Sequence, residues 1–235
     1  MKGQRDRVHP EEGDHDVTAR PLLLLDIDGV LNVFGAWGLV RGPGDREGRL
    51  VPPGDGYRVA HADGWNLLIP TEAQRWVARL EAHLDIVWST MWEGKAVEHF
   101  APIAGFGTTW DWIDFTAHAG ASLGERWGVG VGDHKHAGIV ATAGDRPAAV
   151  VDDDLAPVTR LWASAREDEG IPTLTIKPDP AVGLTAAHVD AVMEFARRVA
   201  ESAREPKLSR RGAPVGGARA SWTRRLLGAR RERGR

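Results

Sequence analysis

Residues 22–32 read LLLLDIDGVLN: four leucines run straight into Asp26 and Asp28, with Gly29 behind them. A continuous apolar run of this length, bounded by Pro21 and by an Asp-Gly turn, suits a short strand buried on both faces, the pattern of a parallel sheet. Paired negative charge does not belong in that interior. Residues i and i+2 of a strand point the same way, so Asp26 and Asp28 face one place. Gly29 lets the chain turn sharply just after them.

Outward from this stretch, strands and helices alternate. Residues 1–20 are charged and aperiodic and are expected to form a flexible arm. Residues 33–70 are rich in Gly and Pro and predict a small β-rich insertion, with strand pieces at 57–61 and 65–69. Thr71-Glu72-Ala73-Gln74 reads as a capping box opening a helix whose apolar face is Ala73, Trp76, Val77 and Leu80. A strand at 84–88 leads into WSTMW. Residues 93–133 are the least legible, with a helix expected near 95–100. A helix near 134–142 precedes a strand at 148–151. Leu155, Val158, Leu161, Trp162 and Ala165 mark another helix, ended by Gly170. A last strand at 173–176 leads to a helix capped by Thr185, with Val189, Val192, Met193, Ala196 and Val199 inward. Alternation of this kind calls for a mostly parallel sheet with helices on both faces.

In such sheets ligands gather beyond the carboxyl ends of the strands. Three predicted strands end there in polar clusters: Asp26-Ile27-Asp28, Ser89-Thr90 and Asp152-Asp153-Asp154. Carboxylates from several strand ends repel one another unless a cation lies among them, and an all-oxygen set suits Mg2+.

These residues carry a resemblance. The chain is similar to the haloacid dehalogenase (HAD) superfamily of phosphohydrolases over roughly residues 21–200. Asp26, Asp28, Gly29 and Val30 match its first motif, an apolar strand ending in Asp-x-Asp-Gly-Val/Thr. Thr90, with Ser89 as the alternative, matches the second. Lys135, with Lys95 as rival, matches the third, and Asp152 and Asp153 match the fourth. WSTMW, RPAAVVDDD and PTLTIKPDPAVGLT more narrowly resemble the HAD domains associated with Swiss Army Knife RNA-repair proteins. The resemblance implies a three-layer HAD-like Rossmannoid α/β fold with a small or absent cap, and an Mg2+-dependent phosphatase. By that resemblance Asp26 is the nucleophile that forms an aspartyl-phosphate, and Asp28 is the general acid and base. Thr90, Lys135 and Gly29 contact the phosphate. Mg2+ is held by Asp26, Asp28 through its backbone carbonyl, and Asp152 or Asp153, a choice left open. Nucleic-acid or nucleotide phosphate ends are the favoured substrates, with small esters and phosphoproteins open.

Other readings compete. An EF-hand starting at Asp26 would have Trp37 where its final Glu belongs. VVDDD resembles the acidic strand of a nucleotide-binding ATPase, but no G-x-x-x-x-G-K-[ST] accompanies it. A catalytically idle HAD domain, acting as a nucleic-acid-binding or interaction module, is the main alternative. Asp154, just before Leu155, reads as a helix cap. His134 and His136 flank Lys135 and read as exposed residues at a helix start. Of the ten tryptophans, Trp76, Trp88 and Trp162 fit core faces. Trp92, Trp110 and Trp112 are assigned to the core, with a pocket or base-stacking role as the alternative.

Composition sets the outer limits. The 235 residues are 42% hydrophobic and 27% charged, as in a soluble globular protein, and contain no cysteine, which excludes thiol chemistry and suits the cytoplasm. No apolar run is long enough for a transmembrane segment, and the start of the chain lacks a secretory pattern. The net charge of −3 is uneven. Residues 203–235 carry eleven Lys/Arg against Glu205 and Glu232, a net +9 that leaves −12 in residues 1–202. The catalytic domain is therefore placed at 21–202. The basic tail at 203–235 is expected to be disordered, with a short helix at 221–233 on contact with a partner, and it suits nucleic acid, an anionic membrane or the protein's own acidic body.

Overall fold

The computed structural model describes residues 20–33, 38–40, 49–51, 55–118 and 135–204. The arm up to 19, Trp37, His134 and the tail from 205, including the helix expected at 221–233, lie outside the described residues.

Four strands form the central sheet: β1 (Leu22–Leu25), β6 (Asp85–Trp88), β7 (Ala148–Val151) and β8 (Thr173–Ile176), in the order β6-β1-β7-β8 and all parallel. The register aligns Leu25 with Trp88 on one side and with Val151 on the other, so the three strands end level. The leucine run is buried because helices cover both faces. Leu23, Leu25, Ile86, Trp88, Ala149 and Val151 point into one core, while Leu22, Leu24, Val87, Ala148 and Val150 point into the other. Each fully buried leucine is worth about 1.5–3 kcal/mol of removed apolar surface.

The first core is closed by α1 (Ala73–Glu81) and by the long C-terminal helix α6 (Ala186–Arg204), which contributes Val189, Val192, Phe195, Ala196 and Val199. Met193, expected inward, is only partly buried, and Phe195 takes the deeper place. Thr185 caps α6 as expected, its hydroxyl accepting the His188 N–H at 3.3 Å. The second core receives α3 (Phe115–His118) and α4 (His136–Ala143), with α5 (Pro157–Asp168) packing Trp162 against it. Leu161 and Ala165, expected to face inward from α5, are exposed; its buried residues are Thr159, Ala163 and Arg166. Arg166 is tolerated there because its guanidinium donates to Thr173 and to the carbonyls of Gly144 and Arg146 and lies over the Trp162 ring.

Two helix starts differ from the sequence expectation. Thr71 does not cap α1: Glu72 holds the cap position without a side-chain bond, and the Thr71 hydroxyl instead donates to the Gly56 carbonyl. Asp154 does not cap α5, whose cap is Ala156 ahead of Pro157; proline supplies the fixed φ and needs no acceptor for a missing N–H.

The 33–70 insertion contains two hairpins. One pairs β2 (Gly38–Val40) with β3 (Arg49–Val51); the other pairs β4 (Tyr57–Ala62) with β5 (Trp65–Pro70). Asp63 and Gly64 close the second hairpin with φ of 48° and 82°, the left-handed pair that a two-residue turn matching strand twist requires. The helix expected near 95–100 is a π-helical turn, Ala96–Phe100, running into α2 (Ala101–Ala104). Pro102 has no N–H for the carbonyl four residues back, which accounts for the wider spacing. Beyond it, Trp112 bridges Trp88 in parallel and extends the β6 edge.

Phe195→Ala should cost about 3–5 kcal/mol, because a fully buried ring leaves a cavity between α6 and the sheet. Urea denaturation would read this as a lowered midpoint with an unchanged slope.

Candidate active site

With β6 on one side of β1 and β7 on the other, the chain leaves β1 in one direction and later returns to its opposite edge. That reversal of direction marks the place beyond the carboxyl end of β1 where sheets of this kind bind ligands. Asp26, Ser89-Thr90 and Asp152-Asp153 are the residues that leave these strand ends.

Asp26 is almost wholly buried. Its backbone N–H donates to the Val151 carbonyl, its Oδ1 accepts the Ile27 N–H at 2.7 Å, and its Oδ2 accepts from Lys135 Nζ at 2.5 Å. Lys135 stands at the start of α4, buried, and its Nζ also reaches Asp152 Oδ2 at 3.0 Å. Asp152 in turn receives the Asp154 N–H on Oδ1 at 2.9 Å. Asp153 is half-buried and has no ion pair or side-chain hydrogen bond among the described residues. Its carboxylate lies over Gly29, where an added Cβ would come within 2.2 Å of Asp153 Cγ. Gly29 also has φ 70°, so a side chain is disfavoured there twice over.

Oxygens of Asp26, Asp152 and Asp153 all fall within 4.8 Å of one another. At that separation each carboxylate pair repels by about 3–4 kcal/mol in a medium of effective dielectric 20. One ammonium faces three carboxylates. Burial is the main cause that pushes Asp26 up to about 7, with Asp152 adding and Lys135 opposing. Burial likewise lifts Asp153 to about 6, again helped by Asp152. Burial disfavours the Lys135 charge, yet Asp26 and Asp152 outweigh it and hold the ammonium above the ordinary lysine range. The donor set is hard oxygen with surplus negative charge, which fits Mg2+ and does not fit zinc.

Asp28 is half-buried and is not one of the clustered carboxylates; its side chain has partners of its own. Asn32 Nδ2 donates to its Oδ1 at 2.8 Å, and Trp92 Nε1 donates to its Oδ2 at 2.9 Å. Thr90 is buried, and its Oγ1 accepts the Trp92 backbone N–H at 3.5 Å, leaving the hydroxyl proton to donate elsewhere. Ser89, the alternative to Thr90, is fully buried, and its Oγ has no partner among the described residues. Lys95, the rival to Lys135, is exposed and paired with Asp63 at the hairpin turn, 2.7 Å away.

Two side chains sit differently from their sequence reading. His136 is buried rather than exposed: Nδ1 lies 3.2 Å from Thr159 Oγ1, and the ring meets Trp162 edge-on. Trp110 does enter the core, with its N–H on Glu81. Trp112 is nearly half exposed and is not a core residue, whereas Trp92 packs against the first core through Phe100 and also reaches Asp28 with its N–H. Sequence reasoning missed Asn32 altogether. Its only local signal is a polar side chain four residues after Asp28, in a segment otherwise apolar.

Asp26 and Asp153 both hold protons more tightly folded than unfolded, where their value is near 3.8. The folded protein therefore binds the extra protons, and without metal its stability falls as pH rises from about 4 to 7. Thermal denaturation in chelator should show Tm dropping by roughly 5–10 °C across that window. Mg2+ should restore more of it at the upper end than at the lower, and Asp26→Asn should flatten the slope.

The described residues contain no helix long and apolar enough to cross a membrane. A comparison with curated proteins finds no match. The family model for the HAD domain in Swiss Army Knife RNA repair proteins matches residues 22–189, a span that takes in the sheet, Lys135 and all three carboxylates of the cluster. The chain belongs to that family of HAD domains.

Proposed function

We propose that this HAD domain is a Mg2+-dependent phosphatase that works through an aspartyl-phosphate on Asp26. The observation that carries the reading is Lys135 Nζ held between Asp26 and Asp152, with Asp153 left uncommitted across the same cluster. A structural ion pair needs one carboxylate per ammonium. Three converging at the mouth of the sheet favour a site built for a cation and an anionic substrate together.

Asp26, Asp153 and the backbone carbonyl of Asp28 would hold the metal, with Asp152 orienting Lys135. Bound Mg2+ supplies the positive charge that lets a carboxylate approach a phosphate dianion. Asp26 attacks phosphorus as the bond to the leaving oxygen breaks, and Asp28 gives that oxygen its proton. Asp28 then takes a proton from water, whose oxygen displaces Asp26 and releases inorganic phosphate. Thr90 donates its free hydroxyl proton to a phosphoryl oxygen. Lys135 stays charged throughout and stabilises the negative charge shared by Asp26 and the phosphoryl group.

The substrates we assign are phosphorylated ends of nucleic acids or nucleotides. The family's association with RNA repair supports this, as does the net +9 of residues 203–235, which favours a polyanion.

A screen of sugar phosphates, nucleotides and 5′- or 3′-phosphorylated oligonucleotides with Mg2+ tests the proposal. Turnover should depend on Mg2+ and leave an acid-stable, hydroxylamine-sensitive phosphoenzyme. Asp26→Asn should reduce turnover to background, since an amide is a poor nucleophile and a poor ligand. Wild-type turnover in that variant would refute the nucleophile. No turnover on any ester would favour a catalytically idle binding module.

A further inference from the structure

Asp28 is held more firmly than a half-buried carboxylate needs to be. Its two oxygens receive one hydrogen bond each from parts of the chain 60 residues apart, Asn32 on Oδ1 and Trp92 on Oδ2. Both donors are themselves fixed. Asn32 is buried, and its Oδ1 accepts the Leu68 backbone N–H at 3.0 Å. A backbone N–H can only donate, so the amide oxygen faces β5 and the NH2 group must face Asp28. The Val33 N–H returns a bond to the Leu68 carbonyl at 2.9 Å, which ties the hairpin to the same turn.

Trp92 is fixed from the other side. Its ring packs against Phe100 with centroids 6.0 Å apart, and its backbone N–H rests on Thr90 Oγ1. The next residue, Glu93, turns left-handed at φ 48°, an unfavourable conformation for a side chain of this kind. Glu93 Oε1 accepts the Phe115 N–H at 3.2 Å, which anchors that turn to the start of α3. Local strain is thus maintained where it presents the indole N–H to Asp28.

We propose that Asn32 and Trp92 are positioning residues that clamp Asp28 for proton transfer. The proposal rests on the reading of Asp26 and Asp28 given above. Each Asp28 oxygen accepts one hydrogen bond and keeps one further position, so the clamp fixes the plane of the carboxyl group and with it the direction in which the transferred proton points. As the bond between phosphorus and the leaving oxygen breaks, that oxygen takes the proton from Asp28. In the second half-reaction the proton moves from water to the same atom. A freely rotating carboxyl group would spend most of its time misaligned for both steps, and misplacement of this order costs about 10- to 100-fold in rate.

The test compares leaving groups within a single variant. Phosphoenzyme formation in single turnover is measured for p-nitrophenyl phosphate, whose leaving group needs little protonation, and for an alkyl phosphate, which needs it fully. Trp92→Phe keeps the packing on Phe100 and removes the N–H. Asn32→Asp keeps the acceptor for Leu68 and removes the donor. In each variant the loss on the alkyl ester should exceed the loss on the nitrophenyl ester by roughly tenfold or more. A merely structural role would lower both rates in parallel, and parallel losses, or none, would overturn the clamp. Because the comparison is internal, partial unfolding of a variant scales both rates and leaves the ratio intact. Wild-type turnover through Asp26 with an unaltered ratio in both variants would defeat the clamp alone. Failure of the wild type to form any phosphoenzyme would defeat the underlying phosphatase reading and the clamp with it.

Discussion

Three carboxylates and one ammonium, all close to the buried end of a parallel sheet, are the arrangement on which the site depends. Burial is unkind to each of them singly, and the repulsion among Asp26, Asp152 and Asp153 adds to the penalty. The fold accepts this because Lys135 answers the two deeply buried acids, Asp26 and Asp152, directly, while Asp153 stays half-exposed to solvent. The surplus negative charge that remains is what distinguishes the cluster from an ordinary buried ion pair. That surplus is concentrated at Asp153, the one acid of the three that is without a side-chain partner among the described residues.

The surrounding backbone serves the same constraint. Gly29 leaves room for Asp153 where any side chain would collide with its carboxylate. The following loop is held from behind by Leu184, whose N–H donates to the Val30 carbonyl at 2.7 Å, and Gly183 permits that approach because a Cβ there would lie 2.6 Å from the same oxygen. The late PDPAVGLT segment thus braces the first aspartate loop, which gives a physical reason for its place in the sequence beyond linking β8 to α6.

What was legible in the sequence was whatever depends on local burial pattern. Four leucines can be covered on both faces only within a layered sheet, and the acid that follows them, Asp26, leaves the strand end beside Asp152. Strands ending in Ser-Thr or Asp-Asp followed from the same logic. Less legible were features decided by competition between distant partners. Thr71 and Asp154 have the right chemistry and spacing for caps, but the Gly56 carbonyl takes the Thr71 hydroxyl, and Pro157 moves the helix start past Asp154. His136 looked like a surface residue because nothing near it in sequence announces Thr159 or Trp162. Residues 93–118 follow neither period, since a π-turn, a four-residue helix and a single-bridge strand are each too short to repeat one.

The hairpin of β4 and β5 is attached to the rest of the domain at two places. Its turn is pinned by the Asp63–Lys95 ion pair, an exposed contact that solvent screens and therefore a weak latch. Its stronger attachment lies deeper, where Leu68 meets Asn32 and Val33 in a buried backbone exchange. Lys95 follows Trp92 by three residues in the same loop, so the hairpin meets that loop at its turn and meets the first aspartate loop at its base. Asp28 stands where these two attachments converge. Loosening the exposed latch would leave the Asn32 amide still oriented by Leu68, whereas displacing β5 would remove the one contact that decides which end of that amide faces the carboxylate. On the Asn32 side, the orientation of Asp28 therefore depends on the buried base of the insertion rather than on its exposed turn, while Trp92 holds the other oxygen.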